Sequence, residues 1–452
     1  MFYRKIQIML LKWAESNPRK PLILRGARQV GKTTAVKQFA KSFDSFISLN
    51  LEKQEDAALF NNYTTMEALI TLLFFTKNIE KNNKKKILIF IDEIQERPAV
   101  INLLRYFYED MPHLYVIAAG SMLETLFKNE VQFPVGRVTY LILRPASFEE
   151  FLHAQNATNI LEAYHKMPFE NFAFEKTLAY FNTYALIGGM PEIVHKYSTT
   201  NDVVVLHEIY ENLINSYLND VEKYAKSTIQ VNHLRHAIKS CFANAGKRIK
   251  LAQFGNSNYG SREMGEALHA IEKAMLLQLV YPLNSTVLPM QPVLKKAPKL
   301  QFFDTGLINY SLGLHTQILQ QGGVNNVYNG LLVEHLVGQE ILAHQYNVLS
   351  SLNFWTREKN TSNAEVDYVI KFENILIPIE VKAGKEGVLK SLHLFMDEAP
   401  HNMAIRLYKG VLNITKPITT NGKTYFLLNL PYFLAGKIEA YLPWFKAQIK
   451  NN

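Results

Sequence analysis

The sequence predicts an α/β chain whose N-terminal part is a parallel sheet covered by helices. Three observations predict it. "PLILRGARQVGKTT" sets a short apolar run before a glycine loop and a helical segment after it. "ILIFIDEI" is a second apolar run, closed by an acidic pair. Three further stretches, "FISLNLE", "LYVIAAGS" and "VTYLILRP", alternate with helix-patterned segments. Continuously apolar strands are buried on both faces, as parallel sheets require, and alternation with helices supplies the crossovers.

Taken in order, the chain opens on "MFYRKIQIMLLKW". Gln7 and Lys12 interrupt its apolar run and no small-residue cleavage site follows, so it does not read as a leader. Ile6, Met9, Leu10 and Trp13 fall at helical spacing and predict an amphipathic helix. The first strand, Leu22 to Leu24, runs into the loop Gly26, Ala27, Arg28, Gln29, Val30, Gly31, Lys32, Thr33, Thr34. Gly26 and Gly31 let the backbone wrap phosphate closely. The following helix offers free N–H donors and the positive end of its dipole. Lys32 is placed to reach the outer phosphates of ATP, and the Thr33 hydroxyl to hold Mg²⁺. Asp92 closes a later strand, where ligands bind in open α/β sheets, and is the second candidate for Mg²⁺. Glu93 beside it is the candidate general base for water.

Bulk properties bound the rest. At 452 residues, 48% hydrophobic and 20% charged, the chain has material for about three globular domains. One cysteine, Cys241, excludes a disulfide framework and fits a cytoplasmic protein. No run approaches the roughly 18 apolar residues of a membrane span. A net charge of +9 is compatible with a nucleic-acid partner and equally with plain solubility. Residues 146–245 carry apolar residues three and four apart and predict helices, broken at Gly188, Gly189 and Pro191. Near the C-terminal end, "NGLLVEHLVGQEILAH" predicts a helix bearing Glu334 and Glu340. "AEVDYVIKFENILIPIEVKAG" predicts two strands in which Glu380 and Lys382 face the same way.

These stretches, with "AAGSMLE", "PVGRVTYLILRPASFEEFL", "IGGMPEIV", "LVYPLN" and "KAPKLQFFDTGL", resemble the AAA+ branch of the P-loop ATPases. More narrowly, they resemble the large prokaryotic family of archaeal-type ATPases with a C-terminal domain of unknown function. The resemblance runs from residue 21 to about 385. It implies an ATPase core and lid over 1–200, a helical connector and winged-helix-like region over 201–300, and a further α/β domain over 301–452. It implies that Ser121 is a sensor of the γ-phosphate. It also implies that Arg137 is an arginine finger acting on a neighbour, hence a homo-oligomer promoted by ATP. A lid arginine expected near "IGGMPEIV" is absent from that stretch. The C-terminal layout, Asp367, twelve residues, then Glu380-x-Lys382, resembles the restriction-endonuclease-like fold. There Glu334, Asp367 and Glu380 would hold a metal and Lys382 would assist phosphodiester hydrolysis.

Three functions stay open on these residues. The chain is an Mg²⁺-dependent ATPase acting on DNA or RNA through its C-terminal half, an ATP-regulated nuclease, or a nucleotide-dependent scaffold with an inert nuclease-like domain and a protein partner.

Overall fold

The computed structural model describes residues 2–61, 63–80, 85–120, 134–223, 225, 227–320, 330–359, 362–384 and 387–450. The N-terminal sheet has five strands: β1 (Leu22–Arg25), β2 (Ser45–Asn50), β3 (Ile87–Asp92), β4 (Tyr115–Gly120) and β5 (Thr139–Ile142). Their spatial order is β2-β3-β4-β1-β5, and every pairing is parallel. All residues of β1 and β3 are buried, as their unbroken apolar runs require.

Alternation along β1 divides two cores. Ile23, with Ile89 and Ile91 of β3, packs with Leu69, Leu73, Leu104 and Phe107 from the helices Met66–Thr76 and Pro98–Asp110. Leu22 and Leu24 point the other way, into a core shared with Phe148, Tyr184, Leu268, Leu336 and Phe433. The N-terminal helix, Ile6–Ala14, buries Ile6, Leu10 and Trp13 into this second core. One face of the ATPase-type sheet is therefore continuous with the rest of the chain.

Helices carry the chain from Phe148 to Asn244, as the periodicity predicts. The helix Ser261–Lys273 follows, then an antiparallel pair, β6 (Leu277–Val280) with β8 (Lys299–Phe302). Between them, the short β7 (Pro282–Leu283) joins β9 (Phe354–Lys359) and β10 (Ser362–Val366) in a small sheet. A mixed five-stranded sheet completes the fold. It comprises β11 (Tyr368–Phe372), β12 (Ile375–Val381), β13 (Met403–Tyr408), β14 (Asn413–Thr415) and β15 (Phe426–Pro431). Their order is β11-β12-β13-β15-β14, with β12, β13 and β15 parallel. The helix Gly330–Ala343 packs against β12 and β8, and Lys390–Glu398 against β10 and β12. Among the described residues, no helix is long and apolar enough to cross a membrane.

Candidate functional site

The first site lies at the C-terminal ends of β1 and β3. Beyond Arg25 the chain turns so tightly that a Cβ on Gly26 would lie 2.3 Å from the Leu143 carbonyl oxygen. Gly31, at φ +92°, releases the chain into the helix Lys32–Phe39. Residues 31–35 then line a cavity of about 640 Å³, together with Arg28, Gln29, Glu52 and Glu93. The first-turn N–H groups of a helix have no intrahelical acceptor and suit an anion.

Lys32 is buried, and its Nζ donates to the carbonyl oxygens of Gly26 at 2.9 Å and Ala27 at 3.0 Å. Burial lowers its pKa, against the pull of Glu93 and Asp92. The Thr33 hydroxyl donates to Asp92 Oδ2 at 2.6 Å, across 59 residues of sequence. Burial raises the Asp92 pKa, against that hydrogen bond and Lys32. Thr33 and Asp92 thus form an adjacent oxygen pair that fits Mg²⁺, a cation held by hard oxygen ligands. Glu93 follows in left-handed backbone, φ 52°, and accepts from Gln95 Nε2.

Distant segments complete the walls. Arg28 pairs with Asp220 at 2.6 Å and with Glu52 at 3.1 Å, so the helix His207–Glu222 is tied to the loop. Tyr217 of the same helix donates to the Arg28 carbonyl oxygen at 3.2 Å. Arg4 donates to the carbonyl oxygens of Val30 at 3.0 Å and Arg144 at 2.6 Å. Pro191, Glu192 and His195, from the helix Pro191–Thr200, close the far side.

A second cluster lies at the edge of the C-terminal sheet. Glu380, on β12, accepts from Lys382 Nζ at 2.6 Å. Asp367, between β10 and β11, accepts from the Val381 N–H at 2.7 Å. Glu334 reaches in from its helix, and Glu365 from β10. Burial raises the pKa of Glu334, Asp367 and Glu380, the last to about 8. At the centre stands Lys299, from β8. Its Nζ lies 2.5 Å from Glu334, 2.7 Å from Glu365 and 4.0 Å from Asp367.

Residues 18–152 match the family model of an AAA domain. The N-terminal region is an AAA-like P-loop ATPase domain. Residues 178–318 and 329–427 match two domains of unknown function, DUF8612 and DUF4143. No curated protein matches the chain. Among solved structures it is similar to the Walker-type ATPase of Pyrococcus abyssi, at 14% identity and TM-score 0.46, over 69% of this chain and 96% of that one. It is also similar to RuvB of Thermotoga maritima, at 16% identity and TM-score 0.28, over 61% of this chain and 88% of that one. The Drosophila ORC bound to DNA gives 14% and 0.24, over 58% of this chain and 65% of that one. At these values the overlaps carry no argument about function.

In the ATPase domain, the cavity brings together Arg28, Gln29, Gly31, Lys32, Thr33, Thr34 and Glu93, with Asp92 bonded to Thr33. Ser121 lies outside the described residues. Arg137 is exposed beside Glu109 at 3.2 Å and does not line the cavity of its own chain. From the helix Pro191–Thr200 come Glu192 and His195 rather than an arginine. Sequence reading missed Asp220, Arg4, Glu365 and Lys299. Lys299 had a signal: it is a charge within "PKLQFF", a stretch otherwise suited to a buried strand. Arg248 pairs internally with Glu358 at 3.0 Å and Glu365 at 3.7 Å.

The convergence of Glu334, Asp367 and Glu380 differs from the expected one. They approach one another around lysines, Lys299 and Lys382, instead of an open cation position. Among the described residues, three metal-type donor atoms all within 4.8 Å of one another occur at Glu149, His153 and His165. There the Lys5 ammonium already holds Glu149 at 2.9 Å.

Proposed function

We propose that the chain binds ATP with Mg²⁺ in the cavity lined by Arg28, Gln29 and residues 31–35, hydrolyses it, and uses the nucleotide state to act on nucleic acid through its middle and C-terminal parts. The observation that carries the ATPase reading is the Thr33–Asp92 contact at 2.6 Å, with Glu93 lining the same cavity. It joins the metal ligands from both motifs beside the group that would serve water. In this reading Lys32 leaves the carbonyls of Gly26 and Ala27 to neutralise phosphate. Mg²⁺, when bound, supplies charge stabilisation at the phosphate oxygens. Glu93 orients and deprotonates the attacking water. The loop N–H groups take up charge that develops in transfer.

The nucleic-acid part rests on the net charge of +9 and on the resemblance, and includes binding without cutting. An ATPase assay on the full chain, with and without DNA or RNA, tests both parts. Hydrolysis should need Mg²⁺, and affinity for nucleic acid should fall steeply from about 50 to about 200 mM salt as counterions are released. ATP turnover with no salt-sensitive binding to any nucleic acid would leave the ATPase standing and point to a protein substrate. Absence of Mg²⁺-dependent turnover would remove the ATPase itself.

A further inference from the structure

We propose that the acidic centre of the C-terminal sheet is closed by a resident ammonium, Lys299, and serves as an ionic latch to the middle of the chain instead of a divalent-metal site. This inference is independent of the ATPase reading.

Lys299 is not part of the sheet it serves. It opens β8, which pairs with β6, while its carboxylate partners come from the helix Gly330–Ala343, from β10 and from the β10–β11 junction. Its side chain is 6% exposed, and that of Glu334 is 9% exposed. Carboxylates gathered out of water cannot all stay ionised without a cation among them. Either a metal or an ammonium can fill that role, and here an ammonium does.

One oxygen of each carboxylate is already held: Glu334 Oε1 by Lys299, Glu380 Oε1 by Lys382, and Asp367 Oδ2 by the Val381 N–H, while Glu380 Oε2 is buried without a hydrogen-bond partner. Mg²⁺ demands near-octahedral oxygens at about 2.0–2.1 Å and keeps several waters. A divalent ion set about 4 Å from a buried ammonium meets strong like-charge repulsion. The carboxylates expected to hold a metal therefore do not fit one while Lys299 is in place.

The test is a Mn²⁺ titration of the full, nucleotide-free chain, followed by electron paramagnetic resonance and by melting temperature. Asp367→Asn in the wild-type background should leave the Mn²⁺ titration unchanged. Lys299→Met should gain one Mn²⁺ equivalent that a second change, Asp367→Asn, removes, and Mn²⁺ should restore part of the melting temperature lost on removing the lysine. A wild-type Mn²⁺ equivalent abolished by Asp367→Asn would overturn the latch and make Lys299 a neighbour of a metal. That arm needs no lysine variant, so it decides the matter even if Lys299→Met does not fold. A folded Lys299→Met chain that gains no Mn²⁺ would also overturn it.

Discussion

Lys32 and Glu93 face one cavity, but the proposed ATPase reading has them serve different parts of ATP, and their variants should separate. Lys32 meets phosphate, so Lys32→Ala should weaken nucleotide binding. Glu93 meets water, so Glu93→Gln should still bind ATP while turnover falls ~10²–10⁴-fold, as loss of a general base does. Equilibrium binding and steady-state assays on both variants check this, and equal turnover by wild type and both variants would contradict the assignment. Glu340 belongs to the fold and carries a pH signature. It is fully buried, and accepts from the Phe148 N–H at 3.0 Å and the Tyr184 hydroxyl at 2.6 Å. Burial raises its pKa from 4.5 to about 7, against those two hydrogen bonds and with help from Glu150 and Glu149. His344, largely but not fully covered, is lowered by desolvation to about 4 and stays neutral beside it. A carboxyl raised on folding stabilises most below its unfolded pKa and loses that stabilisation as pH rises through the folded value. The wild-type melting temperature should therefore fall between pH 5 and pH 8, and fall less in Glu340→Gln, whose amide oxygen can still accept both hydrogen bonds.

At the scale of elements, the turn before the helix Pro191–Thr200 is fixed from outside. Asp304, just beyond β8, accepts from the Gly189 N–H at 2.6 Å and caps the helix Thr305–Ser311 through the Leu307 N–H at 3.1 Å. Gly188 adopts φ +72° with ψ −167°, a region essentially confined to glycine. A Cβ there would lie 2.4 Å from Asp304 Oδ1 and 2.6 Å from the Gly306 nitrogen. Gly188→Ala should cost ~3 kcal/mol or more, combining backbone strain with overpacking. Denaturant unfolding of the variant measures it, and a loss under about 1 kcal/mol would mean that the turn yields. Sequence patterning made much of this level legible. All five parallel strands and the helices after residue 146 follow from apolar runs and periodicity, because burial on both faces leaves a local trace. The phosphate loop was legible because its chemistry is contiguous. Arg28 with Asp220, 192 residues apart, and Lys299 with Glu334, 35 apart, were not, since an ion pair between separate elements leaves no periodic mark.

At the scale of the whole molecule, the ATPase domain presents Arg137 outward and a shared core inward. Arg137 is about half exposed and held lightly by Glu109, an exposed pair of the kind that contributes little stability. The resemblance assigns Arg137 the role of an arginine finger, and so light a pairing would let it leave Glu109 for a neighbour's nucleotide. ATP should therefore promote self-association, and Arg137→Ala should lower turnover by ~10³-fold or more while leaving ATP binding intact. Light scattering with and without ATP, alongside the assay, checks it. A monomer under all conditions with full activity would make Arg137 an ordinary surface cation. Inward, the molecule is less divisible. The core that begins at Ile6 continues through Tyr184, Leu268 and Val337 to Phe445 without leaving buried apolar contact. Helices that wall the cavity of the N-terminal sheet thus share one core with the C-terminal sheet.

The Lys299–Glu334 contact matters to anyone cutting the gene. Matched family segments end at residue 318 and resume at 329, which makes that stretch a tempting place to divide an expression plasmid. Cloned apart, the first product would carry an uncovered lysine on an apolar strand and the second a knot of acids with nothing to neutralise it. The two products belong in one cell, co-expressed, and a chimera that exchanges the C-terminal piece must bring its own β8 along.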